Sequence, residues 1–203
     1  KRQHLGHDMM GQVGTPVVAV ESGYVEALGW NQYGGWRLGI RSFDHKRYYY
    51  YAHLRKNYPY QSGLEVGSVV QAGDVIGYLG RTGYSRTENT NNIDDPHLHF
   101  GLELIFDESQ KDSNNEIWVS CYELVKFLNL NRCEAVKVEG TKEWKRLCGI
   151  KDPLVPVQPA TPSQAGPAAE SQAEPLAKSQ AGPQTESQAG PQTDPQAGSQ
   201  AES

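Results

Sequence analysis

Long apolar runs are missing from this chain of 203 residues. No stretch approaches the ~20 apolar residues of a membrane-spanning helix, and no signal-peptide pattern is visible. The chain begins at Lys1 without an initiator methionine, so a fragment or a processed form is expected, and the missing leader says little about compartment. An excess of positive charge is also missing. The formal charge is −5 overall, and residues 1–150 hold 18 acids against 17 bases. A folded part so close to neutral argues against nucleic acid as the main partner. Cysteine is scarce: Cys121, Cys133 and Cys148 fall late and at spacings unlike a CxxC metal pair. They read as structural or incidental thiols, with one disulfide open to an exported protein.

Aromatic residues vanish from Lys151 onward, where Pro, Gln, Ala, Ser, Gly and Thr take over. Such a composition cannot bury enough apolar surface to offset chain entropy. Residues 163–202 repeat with a period of eight, as SQAGPAAE, SQAEPLAK, SQAGPQTE, SQAGPQTD and PQAGSQAE. A unit of this size with no apolar stripe is a disordered linker or stalk rather than a solenoid. A wall-spanning or partner-binding arm is its functional alternative.

What remains is rich in β-formers. TPVVAV, YVEALGW, WRLGIRS, YYYYAHL, SVVQAG, DVIGYLG and HLHFGLEL follow one another, punctuated by Gly, Asn and Asp at intervals of about ten residues. This predicts a mainly β fold, an antiparallel sheet or small sandwich. Of Tyr48–Tyr51, two are expected to pack and two to face outward. Glycines 67, 73, 77, 80 and 83 predict tight turns and close backbone approach rather than a phosphate cradle, since no P-loop lysine follows them. Steps of three and four between Ile117, Cys121, Leu124, Val125 and Leu128 predict one amphipathic helix, Trp118–Leu128, packed on the β-core. Arg132–Leu154 shows only weak periodicity. The expected domains are a core over 1–106, an extension over 107–150 and a disordered tail over 151–203.

Chemistry concentrates on histidine. His97 and His99 flank one leucine, and alternate residues of a strand share a face, so both imidazoles project to one side. A hydrolytic zinc site needs three N or O ligands and one open position. His4, Asp8 and His99 can supply the ligands if the fold brings them together. His53 and His97 would then lie beside the metal, one accepting a proton from water and one donating an N–H to the developing oxyanion. His7, next to Asp8, is a neighbour of the site at best, and His45 is a solvated hairpin-turn residue.

The order of HLGHDMMGQVGTPVVAVESGYV, YAHL, GDVIGYLGRTG and PHLHF resembles the lysostaphin-like (LytM-type) zinc endopeptidases of bacterial cell walls, over residues 2 to about 104. The resemblance implies the LytM-type (duplicated hybrid motif) β-core, one Zn2+ per chain on His4, Asp8 and His99, and His53 and His97 as the catalytic pair. It implies hydrolysis of peptide bonds in peptidoglycan cross-links or stem peptides, and hence work in the cell envelope or outside the cell. The tail would be free to contact the wall or a partner. A catalytically silent domain that binds peptidoglycan or regulates another wall hydrolase is the alternative, and a carrier or phosphotransfer domain is disfavoured because no lysine occupies the VVQAGDVIG hairpin. Two departures from the family pattern stand out: the insertion YSRTENTNNIDD after Gly83, and Gly101 in place of a glutamate. The first would lie beside the substrate groove; the second would alter packing rather than the metal.

Overall fold

The computed structural model describes residues 5–111 and 113–156. His4 and the octapeptide repeats lie outside the described residues. The architecture is mainly antiparallel β, as the alternation of the sequence predicts. In chain order the strands are β1 (His7–Met10), β2 (Pro16–Val18), β3 (Gly23–Asn31), β4 (Gly35–Ser42), β5 (Arg47–Ala52), β6 (Val69–Val70), β7 (Val75–Tyr78), β8 (His97–Leu104), β9 (Ile117–Val119), β10 (Ala135–Lys137) and β11 (Trp144–Arg146), with helix α1 (Tyr122–Leu130) between β9 and β10.

Among the described residues the main sheet runs β1-β8-β5-β4-β3-β6, and β9 also pairs with β8. β1 takes the first half of one β8 edge, Asp8 opposite His99 and Met10 opposite His97. β9 takes the second half, Trp118 opposite Glu103. β2 and β7 form a separate antiparallel pair, and β10 and β11 a hairpin. That hairpin is the structure of the segment whose periodicity was too weak to assign.

β8 explains the site's position. Leu98 and Phe100 point into the core with Tyr49, Tyr51, Leu38, Ile40, Val25 and Ile76, so alternation turns His97, His99 and Gly101 to the opposite face. Tyr50 of β5 lies opposite Gly101, and the Trp118 ring fills the room that Gly101 leaves, 2.6 Å from where a Cβ would stand. This glycine therefore governs packing, as expected.

Two expectations are corrected. Ile117–Val119 is a strand and the helix begins only at Tyr122, because the β-branched and aromatic run IWV finds an open edge of β8 to pair with. Ile117 is consequently exposed, while Leu124 and Val125 still pack on the core. Tyr48, Tyr49 and Tyr51 are all buried, three rather than two. Tyr48 points away from the core, but it lies against Gly39 and under the Lys111 ammonium, so that face of the sheet is covered there as well.

Candidate active site

Four of the five residues expected at the site converge in the structure, and the fifth, His4, lies outside the described residues. Strand pairing brings Asp8 to His99 across 91 positions of sequence, with Oδ1 2.9 Å from Nδ1. The other ring nitrogen of His99, Nε2, is 2.9 Å from the Leu5 carbonyl. A carbonyl can only accept, so Nε2 carries a proton, which leaves Nδ1 to face the carboxylate. Two acceptors at that separation call for a proton or a cation between them. That donor set, one carboxylate oxygen and one imidazole nitrogen whose far side is held by a carbonyl, suits zinc.

His97 extends from the same face of β8, its Nε2 3.9 Å from Asp8 Oδ1. Its Nδ1 lies 2.8 Å from the Asp95 carbonyl. His53 follows the end of β5, and its ring centroid is 4.8 Å from that of His97 and 5.9 Å from that of His99. Its Nδ1 lies 2.9 Å from the Thr82 carbonyl. Both rings thus donate Nδ1–H to backbone, so Nε2 is the nitrogen left over on each. Burial pushes the His53 pKa down to about 4, so the ring is neutral at ordinary pH.

His53 is held in an uncommon conformation. Its φ is +62°, a left-handed value that costs a histidine of order 1 kcal/mol or more. Its N–H is fixed 2.7 Å from the Gly34 carbonyl. Thr82 closes the arrangement: fully buried, it donates Oγ1–H to the Leu54 carbonyl at 2.6 Å and accepts the Trp36 N–H at 3.1 Å. Thr82→Val keeps the shape but orphans both backbone groups. It should cost roughly 2–4 kcal/mol, measured as a lower urea midpoint at unchanged slope.

The insertion after Gly83 does border the site. Tyr84 stacks on His53, centroids 5.9 Å apart at 25°, and meets Tyr33 edge-on. Further along, Asn89 Oδ1 accepts from the Trp36 indole at 2.9 Å and from the Asn57 N–H at 2.8 Å. The loop is tied to the sheet beside the imidazoles. His7, by contrast, lies on the other face of β1 and meets Tyr122 of α1 edge-on, while exposed His45 sits in the β4–β5 turn with φ +61°. The residues that sequence reasoning missed are those that act through backbone: Leu5, Thr82 and Asp95 each offer a carbonyl, a group every residue type carries.

The family model described as peptidase family M23 matches residues 2–113. The chain belongs to peptidase family M23. Among M23 relatives, the L-Ala-D-Glu endopeptidase of Bacillus subtilis is 39% identical over 102 residues, 50% of this chain and 30% of that protein. Lysostaphin of Staphylococcus simulans is 39% identical over 98 residues, 48% of this chain and 17% of that protein. The chain therefore covers less than a third of either relative. A solved structure from Ruminococcus gnavus, named for a glycyl-glycine endopeptidase LytM, superposes with a TM-score of 0.51 at 36% identity, covering 62% of this chain and 47% of the other. The M23 fold of LytM type expected from the motif order is thus the fold observed.

Proposed function

We propose that this M23 chain is a zinc endopeptidase that hydrolyses peptide bonds of bacterial peptidoglycan, acting in the cell envelope or outside the cell. The observation that carries this reading is the facing of Asp8 Oδ1 and His99 Nδ1 at 2.9 Å with two further imidazoles beside them. Asp8, His99 and His4 would hold one zinc per chain. Zinc bound there supplies Lewis acidity to a scissile carbonyl and acidity to a water.

The chain's own residues do the rest. With Nδ1–H committed to the carbonyls of Thr82 and Asp95, His53 and His97 each offer an Nε2 that accepts a proton from the attacking water. A ring so protonated becomes an Nε2–H donor. In that form it can steady the oxyanion and then return the proton to the leaving amine. The N–H donor role thus follows proton uptake rather than preceding it. Peptidoglycan enters as substrate class through a relative from Vibrio cholerae, 34% identical over 101 residues and named as a peptidoglycan DD-endopeptidase, and the core assigned to residues 1–106 carries all five residues.

The test is metal content of the purified chain together with release of soluble peptides from isolated cell walls. One zinc per chain, and release that a chelator stops and added zinc restores, is the expected result. Wall-peptide release indifferent to chelation, or a chain that retains no zinc, would refute it.

A further inference from the structure

Cys133 and Cys148 have no part in the site, yet the C-terminal hairpin sets them face to face. β10 and β11 pair Ala135 with Arg146 and Val136 with Lys145. One step outward, Leu147 N–H donates to the Glu134 carbonyl at 2.9 Å, and continuing the same register places Cys133 opposite Cys148. At the other end Val138 N–H donates to the Glu143 carbonyl at 2.9 Å. Glu134–Leu147 and Val138–Glu143 are therefore hydrogen-bonded pairs, and by alternation Cys133–Cys148 is a non-hydrogen-bonded one. Such pairs hold their Cα atoms about 4.5 Å apart, inside the span a disulfide bridges. Cys121 is apart, buried, with its thiol directed at the Val119 carbonyl.

The hairpin end that bears the pair sits on the β6–β7 turn. Cys133 Sγ lies 3.7 Å from the Gly73 carbonyl, and a Cβ on Gly73 would come within 3.1 Å of that sulfur. Arg146 reaches the same turn, 2.8 Å from the Ala72 carbonyl and 3.2 Å from Asp74 Oδ1. Further in, Trp144 N–H donates to the Tyr78 hydroxyl at 3.2 Å and Tyr58 donates to Glu143 at 2.8 Å.

We propose that Cys133 and Cys148 form a cross-strand disulfide that clasps the C-terminal hairpin closed against the β6–β7 turn. The oxidant is a disulfide, either a thiol oxidoreductase in its oxidised form or oxidised glutathione. Cys148 is exposed, so its thiolate attacks one oxidant sulfur, forming a mixed disulfide and releasing the other sulfur as a thiolate. The Cys133 thiolate then attacks the Cys148 sulfur and expels the second oxidant thiolate. Two protein thiols lose two protons and two electrons, and the oxidant disulfide becomes two thiols.

The experiment uses the full chain held in oxidised glutathione, then unfolded and alkylated, with peptide mapping and thermal unfolding with and without reductant. The expected result is a mass about two units lower, a single alkylated residue at Cys121, and a peptide joining Cys133 to Cys148. Reductant should lower the thermal midpoint by about 6–10 °C, and a Cys133→Ser variant should lose that response. Alkylation of all three thiols, or a link to Cys121, would overturn the assignment. A Cys133–Cys148 link with a midpoint that reductant does not move would overturn the clasp. No readout depends on hydrolysis or zinc, so the outcome is independent of the proposed activity.

Discussion

His97→Ala should lower wall-peptide hydrolysis by about 10²–10⁴-fold while leaving one zinc per chain. His97 projects from β8 beside Asp8, and its ring is held by the Asp95 carbonyl, so the substitution removes a proton acceptor without touching Asp8, His99 or the Leu5 carbonyl behind His99. His99→Ala is the contrasting variant: with the imidazole that faces Asp8 gone, zinc and activity should disappear together. The measurement is metal content and initial rate on the same samples. Retained zinc in His99→Ala would remove His99 from the ligand set, and a His97→Ala rate within a few-fold of the parent would remove His97 from the reaction. His53→Ala should follow His97, because its ring is likewise oriented by a backbone carbonyl, that of Thr82, and stands outside the proposed ligand set of His4, Asp8 and His99.

Gly83→Ala should be strongly destabilising for a single-methyl change, costing about 3 kcal/mol or more. Gly83 has φ +122°, and a Cβ there would stand 2.4 Å from the Tyr33 carbonyl and 3.0 Å from His53 Nδ1. The Tyr33 carbonyl is backbone and cannot swing aside as a side-chain tip would. A Cβ on Gly35, whose φ is +65°, would stand 2.4–2.5 Å from Thr82 and Gly83 backbone on the other side, so the two segments cross with no space for a side chain. At roughly 2–4 °C per kcal/mol for a domain of this size, the thermal midpoint should fall by about 6–12 °C. The survivors at low temperature should hydrolyse poorly, since the same methyl presses on the His53 ring. A midpoint within 2 °C of the parent, read beside Gly63→Ala at a turn glycine with nothing near its Cβ, would show that the crossing can widen.

The strands were legible because their alternation is strong: HLHFGLEL shows in its letters that His97 and His99 share a face opposite Leu98 and Phe100. Asp8 was legible as a candidate ligand only through its place after HLGH in a motif order, since no local pattern says that residue 8 pairs with residue 99. The helix start was misread because IWVSCYELV satisfies a helical period and a strand equally well, and only the vacant edge of β8 decides between them. Tyr48 was misread because alternation reports which face a side chain takes, not whether that face is covered. Thr82 and Asp95 could not be found at all from residue type, since their part in orienting the rings is played by the main chain.

β1 is four residues long, lies on the edge of the main sheet and carries Asp8. Edge strands open locally at lower free energy than strands between two neighbours, so their amides exchange with solvent first. Asp8 leaves the site whenever β1 peels from β8, while His53, His97 and His99 stay on inner strands and their flanking turns. A cation shared by Asp8 and His99 would bind only the closed form and so would add its binding free energy to the closing of β1. The retention time of a metal held there would then measure how often one short strand frays.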